Sequence, residues 1–429
     1  MNPKKLVRKV LPARGIQVAE EAYRKSRIYA LQAKYGFPAK GLRIIGVTGT
    51  NGKTTTCNYI NEMLKSAGFT TAMFTTAVIE MAGERKENTI HRTVPLTGEL
   101  LGFFKTAKEK QVDFVILEVT SHALHQHKLV GVPVEVAVMT NLTQDHLDYH
   151  HSMYAYAAAK ARLFGRYCSP KHCILNRDDE WYDAFKKASV GKVTSYGQDP
   201  KASAHMEKLS VSPKGSTVKL VHKGVAVEVT TPMLGKFNAY NAVASACVGI
   251  VLGLDPAELE KGVAALKAVP GRMEQIDEGQ PFDVIVDYAH TPDALENVAS
   301  TLKEVAKGRL LLVFGATGDR DKSKRPIMGQ IAAQTADRIF LTDDETYTED
   351  PDNIRRAVMD GIESGGGAKK TTEIADRERA ILAAFKEAKK GDVVLLAGIG
   401  HQDYRAMGGK SVPWDEREVA RRLLKRKSA

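Results

Sequence analysis

The sequence predicts an α/β protein of two domains, a central parallel-sheet domain followed by a second α/β domain. Three observations point there. Short apolar runs alternate with helical stretches from Arg43-Ile-Ile-Gly-Val-Thr48 to Val393-Val-Leu-Leu-Ala397, the texture of parallel strands buried on both faces. A loop rich in glycine and threonine joins the first of these runs to a helix. At 429 residues the chain is also longer than one hydrophobic core usually organises.

Taken in order, residues 1–42 set Lys and Arg among Leu, Val, Ile and Tyr, with Pro12 and Gly15 as interruptions. They read as one or two short helices, too little for a domain. Strand Arg43–Thr48 opens the central domain and a helix starts near Lys53. Phe114-Val-Ile-Leu-Glu-Val119 and Val134-Glu-Val-Ala-Val-Met-Thr140 are further buried strands. Between about 190 and 232 the texture changes. Thr217-Val-Lys-Leu-Val-His222 and Val225-Ala-Val-Glu-Val-Thr230 alternate around Gly215 and Gly224, which predicts a small antiparallel insert. A helix over Ala239–Leu252 follows. Val269-Pro-Gly-Arg272 breaks the pattern and sets the expected boundary, giving domains of residues 43–269 and 270–429. The second domain carries strands at Phe282–Asp287, Leu310–Phe314, Arg338–Thr342 and Val393–Ala397. Arg421-Arg-Leu-Leu-Lys-Arg-Lys427 ends an amphipathic helix as a solvated charge run. No repeat or low-complexity tract is visible.

Composition narrows the function classes. With 43% hydrophobic and 26% charged residues the chain reads as globular rather than disordered. No apolar run approaches the roughly 20 residues that span a bilayer, and no apolar core or cleavage site follows the basic start Met1–Arg8. The four cysteines, Cys57, Cys168, Cys173 and Cys247, are too scattered for a disulfide framework. A cytoplasmic protein without stable membrane insertion, monomeric or weakly oligomeric, is therefore expected. The net charge of +11 favours anionic small molecules such as nucleotides. With no aromatic-basic interleaving or nucleic-acid module, nucleic acid is not an expected partner.

Gly46-Val-Thr-Gly-Thr-Asn-Gly-Lys-Thr-Thr55 is the most informative segment. Between a strand and a helix, Gly49 and Gly52 let backbone N–H groups wrap a phosphate at the helix N-terminus. Lys53 can neutralise the β/γ-phosphates and the Thr54 hydroxyl can ligate Mg²⁺. The strict G-x-x-x-x-G-K-[ST] spacing is missed, because position 47 is Val and the glycine stands one residue earlier. Context nonetheless makes this a P-loop-type nucleotide site, formed by Gly49, Thr50, Asn51, Gly52, Lys53, Thr54 and Thr55. The alternative, a glycine-rich turn with an incidental lysine, fits the flanking strand and helix less well.

Two further segments fall at strand ends, where open α/β sheets bind ligands. They are Leu117-Glu-Val-Thr-Ser-His-Ala-Leu124 and Asn141-Leu-Thr-Gln-Asp-His-Leu-Asp148. Glu118 and His146 can converge there on a phosphate-bound Mg²⁺. His122, His125, His127, His146, His150 and His151 lack the spacing of a zinc site, which wants three or four convergent ligands.

These segments resemble the Mur ligase family. So do Tyr156-Ala-Ala-Ala-Lys-Ala-Arg-Leu-Phe164, Gly235-Lys-Phe-Asn-Ala-Tyr-Asn241, Pro270-Gly-Arg-Met-Glu274, Val286-Asp-Tyr-Ala-His-Thr-Pro-Asp-Ala294 and Gly318-Asp-Arg-Asp-Lys-Ser-Lys-Arg-Pro326. Together they are most similar to the MurE type, from about residue 43 almost to the end. The resemblance implies a Rossmann-like C-terminal domain and an ATP-dependent carbon–nitrogen ligase. Such an enzyme adds an amino acid to a UDP-N-acetylmuramyl-dipeptide-like acceptor through an acyl phosphate, in peptidoglycan precursor synthesis. It also implies catalytic roles for Lys53, Glu118, His146 and Lys160. Thr54, Glu118, His146 and a carbamylated Lys160 would bind Mg²⁺. Asn241, supported by Asn238, would hold ATP with Arg272, Asp287 and His290. Thr93, Thr120, Gln126, Lys128, Arg320, Asp344, Gly398 and Gln402 would contact the muramyl-peptide acceptor or the amino acid.

Three stretches depart from the family pattern. About 42 residues precede the first strand, where the family has a full N-terminal uridine-binding domain. Asp344-Glu-Thr-Tyr347 stands where the diaminopimelate-selecting type has Asp-Asn-Pro-Arg, so the arginine fork for a distal carboxylate is missing. Gly398-Ile-Gly-His-Gln402 replaces Gly-Lys-Gly-His-Glu, and Lys128 replaces an arginine. The ATP and metal set is intact while the acceptor and amino-acid sets are altered. Two alternatives stay open: a family ligase on another acceptor, of the folylpolyglutamate, cyanophycin or poly-γ-glutamate kind, and a nucleotide-binding scaffold without activity.

Overall fold

The computed structural model describes residues 13–90, 93–95, 97–212 and 214–428. Two sheets organise the chain. The first comprises β1 (Arg43–Thr48), β2 (Thr71–Phe74), β3 (Val78–Met81), β4 (Glu84–Glu87), β5 (Phe114–Glu118), β6 (Val136–Met139), β7 (His172–Asn176), β8 (Lys192–Gly197), β9 (Ala204–Ser212), β10 (Gly215–His222) and β11 (Val225–Thr231). Its order is β11-β10-β9-β8-β7-β6-β1-β5-β2-β3-β4. From β2 through β9 neighbouring strands are parallel, while β3–β4 and β10–β11 add antiparallel hairpins at the two edges. The small antiparallel insert expected from the sequence extends the main sheet, joined by pairing of Tyr196 with Ala204 and Gly197 with His205. At the opposite edge β4 is Glu-Arg-Lys-Glu and exposed along its length, a charged rim that discourages further strand pairing.

Helices cover both faces. Tyr59, Ile60 and Met63 of helix Lys53–Ser66 pack with Ala242, Val243 and Ala246 of helix Lys236–Leu252 on one side. Leu100, Leu101 and Phe104 of helix Thr97–Glu109 seal the other. The mean hydropathic character of Lys236–Leu252 follows from this: hemmed in by sheet and helices, it is apolar on nearly every face.

The second sheet comprises β12 (Glu274–Ile276), β13 (Asp283–Asp287), β14 (Leu310–Phe314), β15 (Arg338–Leu341), β16 (Thr371–Glu373) and β17 (Val393–Ala397), in the order β12-β13-β17-β14-β15-β16. All its pairs are parallel except β12–β13. Helices Pro292–Val305, Lys324–Thr335 and Pro351–Ser364 bury one face, and Arg377–Glu387 with Glu416–Ser428 the other.

The N-terminal stretch differs from expectation. It forms one helix, Ala13–Lys34, which runs straight through Gly15; Pro12 and the basic start Met1–Arg8 lie outside the described residues. A helical glycine costs about 1 kcal/mol relative to alanine, and docking offsets it. Ile28 is buried, Gln32 bonds the Val130 carbonyl, and Glu21 pairs with Arg162 at 3.2 Å. Among the described residues no helix is long and apolar enough to cross a membrane.

Candidate active site between the two sheets

The carboxyl ends of β1, β5 and β6 face those of β13, β15 and β17 across a cleft of about 620 Å³. The phosphate loop forms its floor. Gly52 sits at φ +80°, and a Cβ there would lie 2.3 Å from Asn241 Oδ1. Only glycine admits both the left-handed turn and the close approach of the neighbouring helix. Asn141 clips the loop from β6's end, accepting from the Asn51 N–H at 2.9 Å and donating to the Asn51 carbonyl at 3.2 Å. Thr140 Oγ1 donates to the same carbonyl at 2.7 Å. Lys53 Nζ donates to the Thr50 carbonyl at 2.6 Å, an intraloop bond. Burial lowers the pKa of this amine, although Glu118 opposes the shift.

Glu118 and Thr54 meet at the centre, where Thr54 Oγ1 donates to Glu118 Oε2 at 2.9 Å. The Thr76 N–H donates to the same oxygen at 2.8 Å. Thr55 is buried in the first helical turn. His146 caps the short helix Leu147–His150 in a left-handed conformation, φ 57°. Its ring lies edge-on to His122, with centroids 4.7 Å apart. Burial drives its pKa down to about 3, so the ring is a neutral nitrogen donor. Lys160 is buried beneath the loop, giving a hydrogen bond to the Gly49 carbonyl at 2.6 Å. Burial and then the Lys53 charge push its amine well below the ordinary range. Neither Lys160 nor Gly49 lines the open cleft.

The second domain brings its own set across. Arg272 stacks over Tyr288, 4.5 Å from the ring centroid, and Nη2 donates to Thr54 Oγ1 at 3.4 Å. Asp287 accepts from the Met273 N–H at 2.7 Å and thereby fixes the Arg272 turn. His290, held by the Tyr288 carbonyl at 2.7 Å, is neutral because burial lowers its pKa to about 4. Asn51 bridges the domains, giving a hydrogen bond to Asp293 Oδ2 at 2.6 Å and accepting from Thr291 Oγ1 at 3.3 Å. Asn241 closes the floor, bonded to Thr56 and Asn238 at 3.3 Å each.

Residues expected at the acceptor and amino acid spread along the cleft's far half. Thr93 Oγ1 pairs with Thr76 Oγ1 at 2.7 Å, and Thr120 caps helix Ser121–His125. Lys128 Nζ reaches the Val94 and Pro95 carbonyls at 3.2 and 3.3 Å, and Gln126 lines the same wall. Arg320 stacks on Tyr347 and donates to its hydroxyl at 3.2 Å. Gln402 and Gly398 line the opposite wall. Asp344 does not line the cleft: it is buried behind Gly398, facing Arg377 and Arg405.

Several cleft residues were not singled out from the sequence. Lys324 Nζ lies 3.7 Å from Asp145 Oδ1 across the domain junction, both nearly fully buried. Burial opposes ionisation of Asp145, but the Lys324 charge and the His146 N–H, donating to it at 2.9 Å, outweigh it and hold the carboxyl well below its usual range. His401 Nε2 meets the Thr76 carbonyl at 3.2 Å, a second junction contact. All three stand inside or beside the quoted motifs; the pairing across domains had no local signal.

The chain matches the Mur ligase middle domain over residues 47–249 and the Mur ligase, glutamate ligase domain over 271–400. The chain belongs to the Mur ligase family. It is 40% identical over 398 residues to the UDP-N-acetylmuramoyl-L-alanyl-D-glutamate–2,6-diaminopimelate ligase of Bacillus licheniformis, covering 91% of this chain and 80% of that relative. The ligase of the same name from Solibacter usitatus is 40% identical over 422 residues, covering 97% and 83%. A solved structure of a ligase of that name superimposes with a TM-score of 0.62 at 36% identity, over 91% of this chain and 80% of that one. The folylpolyglutamate synthase of Mycobacterium tuberculosis shares the fold, with a TM-score of 0.70 at 20% identity over 87% and 92%. As a Mur ligase the chain is an ATP-dependent ligase, and the family works with ATP and Mg²⁺.

Proposed function

We propose that this Mur ligase joins an amino acid to a UDP-N-acetylmuramoyl-dipeptide-like acceptor in the cytoplasm, as a step of peptidoglycan precursor synthesis. One observation carries the reading. Lys53 and its loop face Arg272, His290 and Lys324 across one cleft that continues to Thr120, Lys128 and Arg320. That is room for a nucleotide at one end and an acid and an amine at the other. We assign residues 43–269 to the ATP-binding domain and 270–429 to its C-terminal partner, preceded by a short helical segment.

In the proposed reaction the acceptor's carboxylate attacks the γ-phosphorus of ATP, giving an acyl phosphate and ADP. The amine of the amino acid then adds to the acyl carbon, loses a proton and expels phosphate. The chain's part is positioning and charge neutralisation. Lys53 exchanges its bond to the Thr50 carbonyl for phosphate oxygens, and Arg272 and Lys324 bring further positive charge from the second domain. Asn241, Asp287 and His290 shape the nucleotide end. Ser121 is buried and bonded to His150 at 2.9 Å, so it has a structural place and not that of a nucleophile.

The donor chemistry around Thr54 suits Mg²⁺. One buried carboxylate, one hydroxyl and one neutral imidazole leave positions for phosphate oxygens and water, the usual composition for this ion. Among the described residues no group of three His, Cys, Asp or Glu side chains gathers into a self-sufficient metal cage, consistent with sharing the ion with a substrate. Thr54, Glu118 and His146 would hold it, and bound Mg²⁺ would supply charge neutralisation on the phosphates. Lys160 as an amine cannot ligate a cation; as a carbamate it offers anionic oxygen. Its depressed basicity keeps the amine available for carbamylation.

The test is mass spectrometry of a mixture of ATP, Mg²⁺, bicarbonate, UDP-muramoyl-dipeptide and candidate amino acids. A product heavier by one amino-acid residue is expected, reduced about 10²- to 10³-fold in Lys53→Ala. ADP release that ignores acceptor and amine overturns the proposal.

A further inference from the structure

Resting on the ligase reading above and its cation at Thr54 and Glu118, we propose that His401 is a positioning residue. Through residues 75–88 it sets the Glu118 carboxylate that receives the cation, with Arg417 as a second anchor. The cation is then held in full only when the two domains meet.

Residues 75–88 form the turn after β2 and the hairpin β3–β4 at the edge of the first sheet. A hairpin of four-residue strands has little stability of its own, so side contacts fix where it sits. Two of these contacts reach the catalytic centre. The Thr76 N–H donates to Glu118 Oε2 at 2.8 Å, the oxygen that also accepts from Thr54 Oγ1 at 2.9 Å. With both donors on one oxygen, Oε1 is left for a cation. From β4, Arg85 Nη2 donates to Asn58 Oδ1 at 2.6 Å, and Asn58 Nδ2 donates to the Thr54 carbonyl at 2.8 Å. Asn88 ties the hairpin to the turn, donating to the Thr75 carbonyl at 2.6 Å.

The same segment meets the second domain at both ends. His401 Nε2 reaches the Thr76 carbonyl at 3.2 Å. Burial keeps the ring neutral, and a carbonyl only accepts, so the ring proton sits on Nε2. Nδ1 is buried without a partner among the described residues. A phenyl ring would fill the same space beside Tyr288, whose centroid is 5.2 Å away; the Thr76 carbonyl is what the imidazole serves. At the other end Arg417, oriented by Asp415 at 2.8 Å, donates to Glu87 Oε1 at 2.9 Å. Glu87 is half-exposed, so this pair alone is weak and acts as the lesser anchor. Docking of the second domain thereby restrains the segment that orients Glu118 and backs Thr54.

The experiment is Mn²⁺ binding, read by electron paramagnetic resonance, to the full chain with a non-hydrolysable ATP analogue. His401→Phe keeps a ring and removes the donor, whereas His401→Gln keeps a donor at similar reach. His401→Phe should weaken Mn²⁺ binding about 3- to 10-fold, the range for one hydrogen bond, with affinity for the analogue in EDTA unchanged. His401→Gln should recover most of that loss. Arg417→Gln should act in the same direction. The double variant His401→Phe/Arg417→Gln should fall short of the product of the single losses, because both act through one segment. Four results each overturn this inference and leave the ligase reading standing: wild-type Mn²⁺ affinity in His401→Phe, an equal loss of analogue affinity in EDTA, no recovery in His401→Gln, or a full product in the double variant. A wild-type complex that binds no Mn²⁺ overturns the cation site at Thr54 and Glu118, and this inference with it.

Discussion

Replacing Arg377 by Met tests how the cleft wall around Gly398 is held. Arg377 and Glu416 are both fully buried, with contacts from Nε to the two carboxylate oxygens at 3.0 and 3.1 Å and from Nη2 at 2.7 Å. Arg377→Met strips these away and leaves Glu416 with the Trp414 indole N–H, at 2.6 Å, as its remaining side-chain partner. An uncompensated charge in such a place costs about 3–5 kcal/mol. Trp414 fluorescence reports unfolding of this region during denaturant titration, so the loss is read as a midpoint shift at constant slope. The companion Arg377→Met/Glu416→Leu removes both charges and should recover all but about 2 kcal/mol, the lost indole bond and the lost bond to the Ala397 carbonyl. Function should follow. Arg377 Nη2 also donates to the Ala397 carbonyl at 2.8 Å, and the next residue, Gly398, sits at φ +115° with its N–H on the Asp287 carbonyl at 3.0 Å. Loosening that corner should raise KM for the amino acid several-fold, about 1 kcal/mol of binding. A cost below about 1 kcal/mol for Arg377→Met, or a double variant no more stable than the single one, refutes the reasoning.

Gly52→Ala places a Cβ 2.3 Å from Asn241 Oδ1 at a left-handed φ. With about 1–2 kcal/mol of backbone cost alone, fluorescent-nucleotide affinity should fall tenfold or more. Glu345 has its pKa raised from 4.5 to about 6, by burial first and then Asp344. The unfolded chain therefore ionises first, and stability falls as pH rises from 4.5 toward 6. Glu345→Gln should accordingly be as stable as the wild type at pH 4 and more stable above pH 6, by up to about 2 kcal/mol; equal denaturation midpoints at pH 7 contradict this. Lys160→Ala should abolish the bicarbonate dependence of ligation along with most activity, and a wild-type rate indifferent to bicarbonate removal contradicts carbamylation.

Much of the fold was legible because buried parallel strands are written as unbroken apolar runs. Leu310–Phe314 and Val393–Ala397 appear residue for residue as expected. The sheet's extent was less legible. β9–β11 alternate like any exposed hairpin, but two residue pairs join β9 to β8 and their buried face packs into the core with helix Lys236–Leu252, a long-range choice no local period records. The N-terminal helix was underestimated because Gly15 weakens local propensity, whereas Gln32, Glu21 and Ile28 contribute through docking.

The site divides similarly. The phosphate loop declares itself because its chemistry is consecutive in sequence, and the structure gathers Thr50–Thr55, Glu118, His146, Arg272, Asp287 and His290 around one cleft. Asp344 escaped that logic. Its sequence position suggests a substrate contact, but Arg377 and Arg405 behind the wall draw the carboxylate inward, and it is the neighbouring Glu345 that lines the cleft. Charge is thereby sorted along the cleft. Burial keeps His146, His290 and His401 neutral, so positive potential at the phosphate-loop end falls to Lys53, Arg272 and Lys324. At the other end the Arg320 guanidinium and the buried Glu345 carboxylate feel each other's charge across the cleft.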